Sequence, residues 1–215
     1  MAKEDKVKPN EQNIQALLSQ KLLSNPERIV ENLYVFDWES DLLLKTNSGY
    51  WYECEIKISV SDFKHDAVKI NKHGILRTGH TVRKHSKWVN GEWKTFEDLV
   101  PRRRPNRFYY AVPEEMVEKV ADMVPEYAGL IAVDVVPKYP GSLGGMRIVK
   151  KAPLIHDVKM TDEELNLCEK FYYNWRKEVQ WRRKYSHTID ELRYQIRSLK
   201  AEFKAVTDYD ISENF

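Results

Sequence analysis

The chain is poor in the residues that mark several classes of protein. Only two cysteines, Cys54 and Cys168, occur among 215 residues. They sit in apolar surroundings without metal-type spacing, so neither a disulfide framework nor a structural zinc site is expected, and a reducing, cytoplasmic compartment fits. No run of eighteen apolar residues is present, which excludes a membrane-spanning helix from the reading. The polar start "MAKEDKVKPNEQ" lacks the apolar stretch of a secretory signal. The six histidines show no HExxH or paired-ligand spacing. "GSLGG" lacks the Lys-Ser/Thr of a phosphate-binding loop and reads as a turn. No serine or cysteine nucleophile motif appears.

What remains is a charged, globular composition: 42% hydrophobic and 32% charged residues, with a net charge of only +2. The charge is uneven. Residues 77–107 hold nine Lys+Arg against three Asp+Glu, and residues 170–204 hold ten against four, so the rest of the chain is acidic. Two basic arms on an acidic body suit a protein that grips a polyanion beside a metal site; two solvated charged faces read the same way.

Hydrophobic periodicity predicts a helix over 11–23, with Ile14, Leu17, Leu18 and Leu22 on one stripe. In "SNPERIVEN", Asn25 and Pro26 fit the start of a short second helical turn. "LYVFDW" reads as a strand. "DLLLK" and "YWYECEIKI" read as a hairpin around "TNSG". "SVSDFKHDAVKINKHGIL" reads as one helix, capped by Ser61 or Asp62, with Phe63, Ala67 and Ile70 at helical spacing. Residues 76–106 read as a basic, irregular insertion in which proline brackets an Arg triplet. "RFYYAVP" is a strand, "EEMVEKVADMV" a short helix, "GLIAVDVV" a strand covered on both faces, and "MRIVKKA" a last edge strand. The alternation argues for an α/β core, and the long connection from 57 to 108 allows part of the sheet to be parallel.

From 160 to 207 the pattern is helical throughout. Thr161 and Glu164 form a capping box. A seam runs through Leu165, Cys168, Tyr172, Trp175 and Val179 and resumes at Ile189, Leu192, Ile196, Leu199, Phe203 and Val206, with Arg182 and Ser186 as its polar positions. Thr188 with Glu191 is a second possible box, so one long helix and a helical hairpin both fit. The seam suits packing within the chain, a homodimer or a partner protein.

"WYECEIKIS" carries the chemistry. Residues two apart on a strand share a face, so Glu53, Glu55 and Lys57 line one side and Cys54, Ile56 and Ile58 the other, which is expected to be core. Pairing through the turn brings Asp41 beside Glu55. Two close carboxylates repel unless a cation intervenes. Mg²⁺ takes oxygen ligands, and the backbone carbonyl of Ile56 offers another. Lys57 then sits where it can orient or deprotonate a bound water or steady a phosphorane. A solvated Glu/Lys face fits the same pattern.

Asp41, thirteen residues, then Glu55-Ile56-Lys57 resembles the PD-(D/E)XK nuclease superfamily, with Ser40 in the place of its proline. "EIKISVSDFKHDAVK", "RFYYAVP" and "PEYAGLIAVD" are similar to the MmcB-like DNA-repair branch. The resemblance covers roughly residues 30–150. It implies a restriction-endonuclease-like mixed sheet flanked by helices over 26–155, after an N-terminal helix and tail at 1–25 and before the long C-terminal helical extension. It implies a bacterial or phage-encoded enzyme that hydrolyses phosphodiester bonds in DNA with Mg²⁺ or Mn²⁺, with Asp41 and Glu55 as ligands and Lys57 as the catalytic lysine. Asp62, Asp66 and Lys69 match its continuation and would sit near the site; as plain helix residues they are a cap and a surface pair. Glu31 or Glu27 is expected to add a carboxylate from the first helix. Glu53 has no role in the resemblance and is expected to be solvated. Arg83, Lys84, Lys87, Arg102, Arg103 and Arg104 are candidates for phosphate contacts. Trp88 and Trp93 suit either stacking on unpaired bases or a small satellite core.

Overall fold

The computed structural model describes residues 9–136 and 144–207, without the side chains of 182–187 and 204–207. It is an α/β chain built on a mixed six-stranded sheet. Helix α1 (Glu11–Lys21) begins where the Asn10 side chain accepts the Asn13 N–H at 2.8 Å. Strands β1 (Arg28–Tyr34), β2 (Glu39–Lys45) and β3 (Trp51–Ile56) form an antiparallel meander. Helices α2 (Val60–Ala67) and α3 (Ile70–Thr78) follow, then strands β4 (His80–Val89) and β5 (Glu92–Pro101). Strand β6 (Arg107–Pro113) lies parallel to β3, and β7 (Ala128–Asp134) parallel to β6. Between them runs α4 (Val117–Val120), flanked by 3₁₀ turns. Strand β8 (Gly145–Lys150) closes the edge antiparallel to β7, giving the order β1-β2-β3-β6-β7-β8.

The stripe on α1 explains one face of the sheet. Ile14, Leu17 and Leu18 are fully buried and share a core with Leu42, Leu44, Cys54, Ile56, Tyr109, Ala111 and Ile131. Each of the leucines and isoleucines stabilises by about 1.5–3 kcal/mol on removal from water. The core expected over 26–155 therefore includes α1. The opposite face carries Leu43, Glu53 and Glu55 in register with Phe108 and Tyr110, and Phe63 of α2 packs against Tyr110 at 4.6 Å between ring centroids.

Several sequence expectations are corrected. The turn proposed after Asn25 is strand β1, because Arg28–Lys45 and its neighbours pair along β2. The single helix over 59–76 is two helices. Ser59, not Ser61 or Asp62, caps α2 through the Asp62 N–H at 3.1 Å. The chain turns at Val68–Lys69, which leaves Ala67 exposed and Ile70 81% exposed while Ile75 and Leu76 are buried. Gly79 ends α3 at φ 76°, a left-handed conformation glycine adopts without cost. The insertion 76–106 is regular: β4 and β5 form a separate antiparallel ribbon. The Arg triplet does lie outside any helix or strand. Ile58, expected in the core, is 49% exposed, because β3 ends at Ile56. The loop "KYPGSLGG" falls almost wholly outside the described residues.

The C-terminal segment is one helix, α5 (Asp162–Thr207), not a hairpin. The Thr161–Glu164 box closes its start: the Thr161 N–H donates to Glu164 at 2.9 Å, and the Glu164 N–H to Thr161 Oγ1 at 3.2 Å. Thr188 lies inside the continuous helix rather than at a second start. The chain divides into two compact units, 1–168 and 169–215. In the first, Leu165 is fully buried and Lys45 pairs with Asp162 at 2.9 Å. In the second, Trp175, Ile189, Leu192, Ile196, Leu199 and Phe203 of the seam are exposed. No described helix is long and apolar enough to cross a membrane.

Candidate active site

Strands β2 and β3 pair from Lys45↔Trp51 to Leu42↔Cys54. The next rung of that register sets Asp41 opposite Glu55, but the ladder has stopped there. The Asp41 side chain replaces the ladder bond: its Oδ2 accepts the Ile56 N–H at 2.7 Å. Gln15 of α1, 4% exposed, donates to the Asp41 carbonyl at 2.9 Å and so ties the start of β2 to the helix. Burial, then repulsion from Glu55, pushes the Asp41 carboxyl up to about 7, with Glu11 adding to the effect.

Glu55 and Lys57 are also brought together, but they are not open to solvent. The Glu55 side chain is 3% exposed and that of Lys57 7%, and Lys57 Nζ lies 2.8 Å from Glu55 Oε1. Two more lysines reach the same carboxylate: Lys72 at 2.6 Å from Oε2 and Lys69 at 3.6 Å from Oε1. Burial disfavours the charge on Lys57, yet Glu55, Asp66 and Asp62 hold its pKa above the usual lysine value. Lys57 is thus a cation at neutral pH.

Asp62 and Lys69 are at the rim, with side chains 46% and 53% exposed. Asp66 is a buried hub rather than half of a surface pair. Its carboxylate accepts the Tyr110 hydroxyl at 2.7 Å and meets Lys69 at 2.9 Å, His73 at 3.3 Å and Lys72 at 3.5 Å. Burial raises its pKa, but the bonds from His73 and Tyr110 and the charge of Lys72 outweigh that and hold it far below the carboxylate range. Behind it, His73 Nδ1 and the Tyr127 hydroxyl lie 2.6 Å apart.

Glu53 contradicts its expected solvation. It is fully buried, and Trp38 Nε1 donates to its Oε1 at 2.6 Å. Oε2 has no hydrogen-bond partner among the described residues. Burial pushes this carboxyl up to about 8, against the pull of Lys72. Glu53 and Glu55 are therefore both buried on this face of the sheet.

Glu31 and Glu27 do not reach the site. Glu31 pairs with Leu42, which places it on the α1 face, where it accepts from Ser19 at 3.3 Å. Glu27 meets Lys45 at 2.8 Å, at the far end of β2. The carboxylate from the first helix that affects Asp41 is Glu11. Sequence reasoning missed Glu11, Gln15, Lys72 and His73. The available signal was a polar side chain on an otherwise apolar stripe: Gln15 among Ile14 and Leu18, and Lys72-His73 before Ile75-Leu76.

The basic candidates spread along the ribbon and its root. Lys84 pairs with Glu97 at 2.8 Å. Arg102 meets Asp37 at 3.3 Å, and Arg103 meets Glu164 at 3.3 Å. Arg104 is structural as well as basic: it donates to the Leu76 carbonyl at 2.7 Å at the end of α3. Trp88 and Trp93 are 61% and 70% exposed, so they form no satellite core.

Among the described residues, no group of three or more His, Cys, Asp or Glu side chains converges as a metal cage. A Mg²⁺ site of the kind implied needs only two carboxylates, a carbonyl and water. Asp41, raised by burial and by repulsion from Glu55, and Glu55 itself fit that demand. Each carboxylate oxygen has two lone pairs, so the lysines do not exhaust Glu55.

No family model matches the sequence, and no curated protein matches it. A solved structure of a protein of unknown function from Silicibacter pomeroyi aligns with a TM-score of 0.42 and 16% identity, over 79% of this chain and 84% of that one. A likeness this slight carries no inference about fold or function.

Proposed function

We propose that the chain is a metal-dependent DNA nuclease with a restriction-endonuclease-like core. The observation that supports it most is the Asp41–Glu55 rung beside Lys57, with Asp41 raised to about 7 by burial and by Glu55. Carboxylates that repel at one end of a sheet are stabilised when they share a cation. Asp41, Glu55 and the Ile56 carbonyl would hold Mg²⁺ or Mn²⁺. When bound, the ion supplies charge to the scissile phosphate and lowers the pKa of water.

The chain's own residues do the rest. The Ile56 N–H fixes the Asp41 carboxylate. Lys57 stays protonated, so its role is to stabilise negative charge developing on the phosphate rather than to abstract a proton. Asp66 keeps Lys69 and Lys72 beside Glu55. The experiment is cleavage of a panel of single-stranded, duplex and branched DNAs with Mg²⁺ and with Mn²⁺, by the native chain and by Lys57→Ala. Cleavage that persists in Lys57→Ala sinks the reading.

A second reading is a DNA-binding or assembly protein that keeps the fold without the chemistry. The burial of Glu55 under three lysines favours it. DNA binding by the native chain, with no cleavage under either metal, is its expected result.

A further inference from the structure

Strands β4 and β5 stand apart from the six-stranded sheet. They pair over ten rungs, from His80↔Pro101 to Val89↔Glu92, on the order of 30 Å at about 3.4 Å per residue. The turn at the tip is tight: Asn90 at φ 53° and Gly91 at φ 86° are the two left-handed positions of a type I′ hairpin. A lone two-stranded ribbon is marginal in water. This one nonetheless exposes Val82 (54%), Trp88 (61%), Trp93 (70%) and Leu99 (70%), all on one face by the register of their rungs. Trp88 and Trp93 are cross-strand partners next to the turn, edge to face at 5.6 Å.

The ribbon carries acids at Glu92, beside the turn, and at Glu97 and Asp98. Toward the root the acids are engaged, Glu97 by Lys84 at 2.8 Å and Asp98 by His85 at 3.2 Å. Next to the tryptophan rung, Lys87 sits directly opposite Lys94. Neither has an acidic partner in ion-pair range among the described residues. Like charges opposed across a ribbon destabilise it, and an anion lying there removes the penalty. At the root, a cleft of about 650 Å³ is lined by Trp38, Lys72, Arg83 and Arg102 among others. Lys72 is the residue whose ammonium touches Glu55, so the cleft adjoins the proposed site of cleavage.

We infer that the 80–101 ribbon is an arm for DNA that carries unpaired bases. Lys87, Lys94, Arg83 and Arg102 take phosphates, and the Trp88–Trp93 tip stacks on bases. A protein partner accounts for exposed tryptophans but not for the opposed lysines on the other face. A polyanion with aromatic faces accounts for both. The bases are unpaired because a duplex covers their faces, and single strands bind by such stacking along a basic track. The inference rests on the nuclease reading only in assigning this DNA as its substrate.

The test is fluorescence anisotropy with the full chain in EDTA, on a labelled oligothymidylate, a duplex of equal length and that duplex with a central bubble. The native chain should bind the strand and the bubble more tightly than the duplex. The Trp88→Ala, Trp93→Ala double variant should lose at least about tenfold on both unpaired substrates and under about twofold on the duplex. Phenylalanine at both positions should restore most of the loss. Lys87→Ala with Lys94→Ala should weaken binding to all three and reduce the single-strand salt slope by about 1.4, for two phosphates at ~0.7 each. Native-strength binding by the double tryptophan variant, or a preference for the duplex, overturns the arm. So does failure of the native chain to bind any of the three, which assigns the ribbon to a protein. Cleavage is scored separately with Mg²⁺: binding through the arm without cleavage removes the nuclease reading and leaves this one.

Discussion

The Asp41 carboxylate accepts the backbone N–H of Ile56 at 2.7 Å, one rung beyond the last paired residues of β2 and β3. A side chain thus completes a ladder that the backbone abandons, beside the buried Glu55.

Asp41→Asn keeps an oxygen for the Ile56 N–H and removes the charge. Its fold should therefore survive while divalent-cation binding is lost. Because Asp41 gives up its proton near pH 7, Mg²⁺ or Mn²⁺ should raise the unfolding temperature of the native chain more at pH 8 than at pH 6. Differential scanning fluorimetry reads both. An equal metal-induced shift in Asp41→Asn would remove that residue from the site.

On the proposed function the Glu55→Ala and Lys57→Ala variants should both lose cleavage, but they should differ in stability. Glu55→Ala takes from the buried Lys57 and Lys72 their nearest carboxylate, and breaking a buried ion pair costs up to about 3–5 kcal/mol. Sequence alone suggests that Glu55→Ala leaves the fold intact; the three lysines around it argue otherwise. Lys57→Ala leaves Glu55 with Lys69 and Lys72 and should unfold at a urea midpoint closer to native. Equal midpoints for the two variants would contradict this.

Glu53 makes stability depend on pH in a stated direction. A carboxyl raised on folding binds its proton more tightly in the native state, so its contribution is full below its unfolded value and is lost as pH rises through the folded one. With Glu53 at about 8 and Asp41 at about 7, the metal-free chain should lose stability from about pH 5 to pH 8. Glu53→Gln keeps an acceptor for Trp38 and should flatten that loss. Urea unfolding across the range decides it, and an unchanged slope in the variant counts against the assignment.

Asn106, 1% exposed, joins three segments. Its Oδ1 accepts the Trp51 N–H at 2.8 Å, and its Nδ2 donates to the carbonyls of His156 at 3.0 Å and Val158 at 2.8 Å. Asn106→Ala should destabilise by about 3 kcal/mol, since each buried group left unpaired costs about 1–3 kcal/mol. Chemical denaturation measures it, and a loss under about 1 kcal/mol would refute the account.

Much of the fold was legible because its signals are local. The α1 stripe, the hairpin around "TNSG", strands β6 and β7 and the Thr161–Glu164 box each declare themselves within a few residues. Strand β1 was hidden by Pro26, which reads as a helix start until Lys45 and Leu44 pair with it. The ribbon was hidden by its charges: Lys84 against Glu97 and Arg83 opposite Asp98 look like an irregular basic loop until the two strands lie side by side.

By itself the sequence determined the alternation that set Glu55 and Lys57 on one side of a strand, because side-chain direction follows from the backbone repeat alone. Only the tertiary structure decided their surroundings. Burial of Glu53, the approach of Lys72 and Lys69 to Glu55 and the Asp66–Tyr110 bond each join residues from different elements. Charges separated along the chain acquire strong mutual effects when packing removes the water between them.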